Sequence, residues 1–172
     1  MTAQANELTR DVLAQLKEPL PSRFVSWKIQ QKTRDGKRAL VVAYADARLM
    51  MTRLDEVVGP ANWHDEYEVL SDREWVEVGP DGKEVRRRHV EVRCRLTVLG
   101  VTKEDVGDGG DLKAAFTDAF KRACVKFGLT RYLYFLPTVW VDLDDRGRFT
   151  PPQLPAWALP RAERNGRNGK AA

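Results

Sequence analysis

The feature that most restricts the fold is a strict alternation of apolar and polar residues between positions 90 and 98. The apolar positions are Val90, Val92, Cys94, Leu96 and Val98. A period of two predicts a β-strand with one buried face and one wet face. The turn sequence GPDG at 79–82 places the start of this strand near residue 83. The rest of the chain must therefore supply elements that cover one side of a sheet.

Two further strands are expected beside it, at 63–78 and at 101–107, with Gly100 at the second turn. Three strands in series joined by short turns predict an antiparallel meander. Upstream, residues 23–33 and 37–43 are rich in β-forming residues and are separated by the hairpin turn sequence Asp35-Gly36. These segments predict a separate β-hairpin.

Three segments follow the period of a helix: residues 7–17, 46–58 and 111–127. Asp46 and Asp111 are suitable N-caps, and Gly59 and Gly128 are suitable C-terminal residues. The last helix has one broad apolar face, formed by Leu112, Ala115, Phe116, Ala119, Phe120, Ala123 and Phe127. We expect an α+β fold with the order hairpin, helix, three-stranded antiparallel meander, helix.

Domain organisation follows from composition at the C-terminus. Residues 1–160 are expected to form one domain. Residues 161–172 are polar, basic and glycine-containing, so a disordered tail is expected there. The glycines at 107–110 predict a flexible connector before the last helix.

Charge and cysteine content restrict the class of protein. Lys and Arg number 29 against 25 Asp and Glu, which raises the prior for a polyanionic partner if the cations are clustered. No apolar run approaches the roughly 20 residues of a membrane span, and the N-terminus lacks the pattern of a signal peptide. Cys94 and Cys124 fall in apolar patterns typical of buried thiols. We expect a cytoplasmic, nucleoid-associated protein.

The last helix carries the most informative cluster of cations. Lys113, Thr117 and Lys121 follow at steps of four, as do Arg122 and Lys126, and Asp118 is placed to pair with Arg122. A solvated surface with cations near the helix C-terminus explains this pattern equally well. Beside other basic ridges in a ring, the same helix would follow a phosphate backbone.

Two sequence blocks resemble the Rad52 family of single-strand annealing proteins. Residues 104–128, EDVGDGGDLKAAFTDAFKRACVKFG, are similar to its core motif of an E-D-V-G strand end followed by a helix with T-D, K-R-A and F-G. Residues 44–63 match a second block, from Tyr44 through a helix to the pair Asn62-Trp63. The family implies a β-β-α-β-β-β-α core, which agrees with the order predicted above.

The resemblance also implies a function and a set of contacts. Family members assemble into rings whose outer groove holds single-stranded DNA with its bases facing outward. Family positions that contact the DNA backbone match Lys113, Lys121 and Arg122. A further family arginine aligns with Val125, beside Lys126, and the arginine of the preceding helix has Arg48 and Arg53 as substitutes.

Two other basic clusters are candidate DNA contacts. Arg86, Arg87 and Arg88 follow the 79–82 turn, and Lys28 lies on the first hairpin. Charges that discourage aggregation at a sheet edge are the alternative explanation for the three arginines. Trp63 and Trp75 are expected to pack in the core, and Tyr132, Tyr134 and Phe135 in the core or at a subunit interface.

We therefore expect ring-shaped homo-oligomers that bind single-stranded DNA, anneal complementary strands and protect ends, the 3′ end in particular, in DNA repair. No GxxxxGK[ST] or HExxH motif occurs, so neither a nucleotide nor a metal cofactor is expected, and no enzyme activity. Two alternatives stay open. One is a structured-RNA or duplex-binding module, and the other is a metal-dependent nuclease that uses Asp105, Asp108 and Asp111, or Asp142, Asp144 and Asp145.

Overall fold

A computed structural model describes residues 7–168 of the chain. Its helices are α1 (Arg10–Lys17), α2 (Ala47–Val58), α3 (Leu112–Phe127) and α4 (Arg161–Asn168). Its strands are β1 (Ser26–Lys32), β2 (Arg38–Tyr44), β3 (Trp63–Val78), β4 (Glu84–Val98), β5 (Val101–Gly109) and β6 (Val139–Asp142). The predicted α+β class with antiparallel strands is confirmed.

The region expected to be one domain contains two compact units. The first comprises residues 7–16 and 50–129, and the second comprises 17–49 and 130–168. In the described part of the chain, no helix combines the length and apolarity needed to cross a membrane.

The first unit is built on the sheet β3-β4-β5. β3 pairs with the whole of β4, from Trp63 opposite Val98 to Val78 opposite Glu84. β5 pairs only with residues 90–98 of β4. Residues 84–89 of β4 therefore form a two-stranded ribbon with β3. The five alternating apolar residues of β4 are buried, as predicted.

Helix α3 covers the apolar face of this sheet. The Asp111 side chain accepts a hydrogen bond from the Ala114 N–H at 2.8 Å, and Gly128 ends the helix in the left-handed conformation with φ 98°. Both caps are confirmed. The buried face contains Ala115, Ala119, Phe120, Ala123, Cys124 and Phe127. Full burial of a Phe side chain contributes roughly 1.5–3 kcal/mol, so this face anchors the helix firmly.

The glycines before α3 were wrongly predicted to form a flexible connector. β5 continues through Gly109. A Cβ atom on Gly107 would lie 2.1 Å from the backbone nitrogen of Ala119, and one on Gly109 would lie 2.7 Å from the Cβ of Ala114. The glycines allow the strand and helix backbones to approach closely. The sequence prediction interpreted these glycines as turn residues and therefore missed this packing constraint.

The first unit also buries both cysteines as free thiols, as expected. Loss of hydration disfavours the thiolate, and burial raises the pKa of Cys94 to about 12 and that of Cys124 well above its ordinary value. Both thiols are therefore core residues.

The second unit contains the sheet β1-β2-β6. β6 was not predicted, because its four residues lie between aromatic and acidic segments that carry no alternation long enough to detect. It pairs antiparallel with β2, from Arg38 opposite Asp142 to Val41 opposite Val139. The C-terminal residues Leu154, Ala158 and Leu159 pack with Val25, Trp27, Tyr132 and Leu136.

The disordered tail predicted at 161–172 is wrong for residues 161–168, which form α4. The Arg161 N–H donates to Glu18 Oε1 at 2.8 Å, and Glu163 Oε1 accepts from the Ser22 N–H at 3.0 Å. These partners are more than a hundred residues away in sequence, so local composition gives no sign of them. Residues 169–172 lie outside the described residues.

Candidate nucleic-acid interface

The cations of α3 separate into two sets on the folded helix. Lys113 and Lys121 line one shallow hollow of about 400 Å³ together with Asp111, Ala114, Thr117 and Asp118. Arg122 and Lys126 lie on the flank that faces β5. The sequence predicted both four-residue ridges. Only the packing of the helix shows that the two ridges face different surroundings.

The hollow on α3 contains two carboxylates, but each one contacts the backbone. Asp111 caps the helix, and Asp118 Oδ2 accepts from the Asp108 N–H at 3.3 Å. Thr117 Oγ1 donates to the Lys113 carbonyl oxygen at 2.9 Å. Lys113 is exposed and makes no ion pair within residues 7–168. The Lys113 ammonium group is therefore available to an anion from outside.

The predicted pair between Asp118 and Arg122 is wrong. Arg122 Nε lies 3.5 Å from Asp105 Oδ1, and Lys126 Nζ lies 3.4 Å from Asp105 Oδ2. Burial opposes ionisation of Asp105. The hydrogen bond from the Val106 N–H and the two cations outweigh burial and lower the pKa of the carboxyl. Asp105, the aspartate of the E-D-V-G motif, therefore holds Arg122 and Lys126 beside β5.

Four alternate residues of β5, which share the face turned towards α3, explain how α3 is positioned. Lys103 Nζ donates to the Lys126 carbonyl oxygen at 3.0 Å and lies 4.9 Å from the Phe127 ring centroid. Asp105 contacts the next turn of the helix. At Gly107 and Gly109 the two backbones meet directly. The β5 side chains that face α3 thus become smaller along the strand, from lysine to aspartate to glycine. Because the backbones lie closest together at the glycine end, the helix is held at an angle to the strand.

The two arginines offered as substitutes on α2 have different surroundings. The Arg53 side chain is 15% exposed, and its Nη1 donates to the Gln15 carbonyl oxygen at 2.9 Å. It therefore ties α2 to α1. The Arg48 side chain is 87% exposed, with Nη1 3.7 Å from Asp46 Oδ2. Arg48 is therefore the more accessible of the two side chains.

The arginines after the 79–82 turn lie on the ribbon of β3 and β4. Arg87 Nε donates to Glu77 Oε2 at 2.7 Å. Arg88 makes two hydrogen bonds to Asp72, at 2.8 and 2.6 Å. Arg86 makes no ion pair in the described part of the chain. Cross-strand pairing thus occupies two of the three arginines.

The aromatic residues of β3 also differ from one another. Trp63 packs as predicted: its Nε1–H donates to Asp55 Oδ1 at 2.8 Å, and its ring centroid lies 6.2 Å from that of Phe120. Trp75 was expected in the core and is 48% exposed. Trp75 lies opposite Arg87, on the face of the ribbon away from α3, so nothing in the described part of the first unit covers this ring fully.

In the second unit, exposed aromatic rings lie next to cations. Lys28 Nζ is 5.9 Å from the Tyr44 ring centroid, and the Arg38 guanidinium is 5.9 Å from that of Trp140. Tyr132 packs in this unit's core as expected, and its hydroxyl oxygen accepts from the Leu20 N–H at 3.2 Å. Tyr134 and Phe135 are 68% and 72% exposed, so they do not lie in the core, and of the two predicted locations a subunit interface remains a prediction.

The carboxylates considered for a nuclease site have other partners. Asp105 pairs with the two cations of α3, Asp111 caps that helix, and Asp144 accepts from the N–H groups of Arg146 and Arg148. Asp142 lies 3.3 Å from Arg38 Nε. Within the residues that the structure describes, no group of three or more His, Cys, Asp or Glu side chains is arranged to hold a metal ion.

A profile described as "Rad52/22 family double-strand break repair protein" matches residues 9–148. The chain belongs to this family. The match includes both sequence blocks noted above and every element from β1 to β6. The matched residues include the unit in which α3 lies on the β3-β4-β5 meander.

Two curated relatives are similar over most of their length. The "Single-stranded DNA-binding protein DdrA" of Deinococcus radiodurans is 44% identical over 161 residues, which cover 90% of this chain and 70% of the relative. The protein of the same name from Deinococcus deserti is 43% identical over 162 residues, which cover 90% of this chain and 73% of the relative.

Sequence reasoning missed one surface of the first unit. Glu74, Trp75, Val76, Arg86, Arg87, Arg88 and Gly110 line an open cleft of about 470 Å³. The signal available in the sequence was the length of the hairpin. The first two strands of the meander were expected to be much longer than the third. The residues near their shared turn therefore could not all pair with a third strand.

Proposed function

We propose that the chain binds single-stranded DNA along α3, protects DNA ends and promotes the annealing of complementary strands without ATP and without catalytic chemistry. The observation that carries this proposal is the hollow with Lys113 and Lys121, whose carboxylates are turned to backbone N–H groups. Membership of the Rad52/22 family and the printed names of the two relatives support the same ligand.

The chemistry of the α3 surface suits a sugar-phosphate backbone. Lys113 and Lys121 supply ammonium groups, and Arg122 and Lys126 keep about half of their side-chain surface exposed while they pair with Asp105. Contacts of this kind attract phosphates without reading base edges. The bases of a bound strand would then be free to pair with a complementary strand, as annealing requires.

Assembly into rings is part of the proposal. Within residues 7–168, the outer edges of β3 and β5 have no neighbouring strand in their sheet. Val69, Leu70 and Val106 are 40–45% exposed on these strands. Open strand edges and exposed apolar residues permit a second copy of the chain to pack against this sheet. A ring would place successive α3 helices side by side and extend the basic track.

A charge-matched substitution pair tests the binding surface. We expect Lys113→Ala with Lys121→Ala to weaken binding of a fluorescent oligothymidine by about tenfold or more, measured by anisotropy. Each phosphate contact on a single strand contributes about 0.7 to the slope of log affinity against log salt, so losing two lowers the slope by about 1.4.

The control is Arg10→Ala with Lys83→Ala, which removes the same net charge from exposed positions of the first unit. Its salt slope should equal that of the wild type. Equal affinities for the two double variants at matched salt would refute the assignment of α3. Mass photometry of each variant checks assembly, and a wild-type particle no larger than one chain would refute the ring.

A second assay tests the activity itself. Complementary labelled strands should anneal faster with the protein than without it, with no added nucleotide. Strands with a recessed or protruding 3′ end should be protected from a 3′ exonuclease more than strands with a 5′ end are protected from a 5′ exonuclease. Equal protection of both ends would remove the 3′ preference from the proposal.

A further inference from the structure

The outward face of the sheet β1-β2-β6, in the second unit, carries an aromatic ring and a cation side by side. The inward face is marked by Val41 of β2, which is fully buried. Strand pairing places Arg38 opposite Asp142 and Leu40 opposite Trp140. Because side chains alternate along a strand, these four residues all lie on the face opposite to that of Val41. The ring of Trp140 and the guanidinium of Arg38 therefore share one surface.

The Trp140 ring is accessible on this surface. It is 40% exposed, and β6 is an edge strand whose neighbour in the sheet is β2. The Trp63 Nε1–H donates to Asp55, whereas the Trp140 Nε1–H makes no hydrogen bond within residues 7–168. An exposed indole ring offers a flat apolar surface on which a nucleic-acid base can stack.

Arg38 places a cation beside this ring. The guanidinium carbon lies 5.9 Å from the Trp140 ring centroid, and Nε lies 3.3 Å from Asp142 Oδ1. The side chains of this ion pair are 53% and 91% exposed, so water screens their attraction. A guanidinium has five N–H donors, and one carboxylate does not occupy all of them. Arg38 can therefore bind a phosphate that approaches from solvent.

The charge of the whole face favours an anionic ligand. Lys28 of β1 lies opposite Val42, which shares the outward face with Arg38. The three strands thus present two cations and one carboxylate, Asp142, on this side. An aromatic ring among excess cations matches the two parts of a nucleotide, a flat base and a phosphate.

We propose that Trp140 stacks a base of single-stranded DNA and that Arg38 binds a phosphate of the same nucleotide. This inference rests on the proposed function and deepens it, because it adds a base-binding subsite in the second unit to the phosphate contacts of α3. Stacking on an aromatic side chain tolerates any base, so the subsite adds affinity without sequence preference.

The test of stacking compares Trp140→Ala with Trp157→Ala, a control at another exposed tryptophan of the second unit. Two ligands are used: an oligothymidine, and a chain of the same length with abasic sugars. We expect Trp140→Ala to weaken binding of the oligothymidine by about tenfold and to leave the abasic chain unaffected. Trp140→Phe retains an aromatic ring and should recover most of the loss, whereas Trp140→Leu should not.

The test of the phosphate contact compares Arg38→Ala with Asp142→Asn. We expect Arg38→Ala to weaken both ligands and to lower the salt slope by about 0.7. Asp142→Asn removes the same ion pair but keeps the cation, so it should bind at least as tightly as the wild type. Arg10→Ala, which removes one charge from α1, should leave the slope unchanged. Thermal unfolding of each variant checks that the fold is intact.

Four results would overturn the proposal. Two concern Trp140→Ala: wild-type affinity for the oligothymidine, or an equal loss of affinity for the abasic chain. The third is a changed particle mass in Trp140→Ala, which would assign this face to contact between copies of the chain. The fourth is equal weakening in Arg38→Ala and Asp142→Asn, which would reduce Arg38 to its ion pair.

The lysine variant separates this inference from the proposed function. Loss of affinity in Lys113→Ala with Lys121→Ala but not in Trp140→Ala would overturn this inference alone. Wild-type binding in the lysine variant would instead contradict the proposed function.

Discussion

The two halves of β4 show how one strand can serve two purposes. Residues 90–98 pair with strands on both sides and lie under α3, and their apolar side chains are fully buried. Residues 84–89 pair only with β3, and Val85 is 42% exposed. The covered half fixes the angle of α3 and hence its cations. In the uncovered half, Trp75 lies opposite Arg87 and Arg86 lies opposite Val76, so these two side chains are exposed on opposite faces of the ribbon.

The largest expected effect comes from the contact that fixes α3 on the covered half. Gly107→Ala would place a Cβ atom 2.1 Å from the Ala119 nitrogen, and neither backbone can move without separating helix and strand. We expect the free energy of unfolding to fall by more than about 4 kcal/mol, measured by urea denaturation.

Gly110→Ala is the matched control for this substitution. Its Cβ would have 3.9 Å to the nearest neighbour, so stability should change by less than about 1 kcal/mol. Equal losses in the two variants would show that glycine flexibility, and not close packing, matters in this segment.

Hydrogen exchange compares the two halves of β4 without any substitution. Amides of residues 90–98 should exchange only with unfolding of the first unit, because β3, β5 and α3 enclose them. Amides of residues 84–89 should exchange at least about tenfold faster through local opening of the ribbon. Uniform protection along β4, measured by NMR on the protein without DNA, would mean that another surface covers the ribbon.

The cap of α3 is expected to have a smaller effect. Asp111→Ala removes the acceptor for the Ala114 N–H and should lower stability by about 1 kcal/mol. Asp108→Ala removes a carboxylate of the same charge that is 66% exposed and does not cap the helix. Calorimetry of both variants separates capping from net charge, and equal effects would contradict the capping role.

The smallest effect is expected on the ribbon itself. Arg88→Ala removes two exposed hydrogen bonds to Asp72 and should lower the melting temperature by about 1–2 °C. Arg88 holds the pKa of the Asp72 carboxyl below its ordinary 3.8, so this stabilisation is present above that pH and is lost as the pH falls through the lowered value.

The melting temperatures of wild type and Arg88→Ala should therefore converge in acid, below pH 3.8. Melting followed by circular dichroism across this range gives the comparison. A difference that persists in acid would show that Arg88 stabilises the ribbon through packing and not through its charge.

Local patterns predicted much of the first unit. The alternation at 90–98 determined which face of β4 is buried, and the period of α3 determined its apolar face and its caps, because these properties depend on residues close in sequence. The four-residue spacing of Lys113, Lys121, Arg122 and Lys126 was also visible. The family motif turned that spacing into a hypothesis about phosphate contacts.

Long-range contacts decided what the sequence left open. Arg122 pairs with Asp105 on β5, and Gly107 belongs to a strand because Ala119 packs against it. β6 and α4 form against partners far away in the chain. Trp75 looks like a core residue by type and is exposed because it lies opposite Arg87, on the face of the ribbon away from α3. The sequence by itself determined the elements from α1 to α3 and their faces, but not β6 or α4. Tertiary structure decided which faces are covered, since coverage depends on where other elements end.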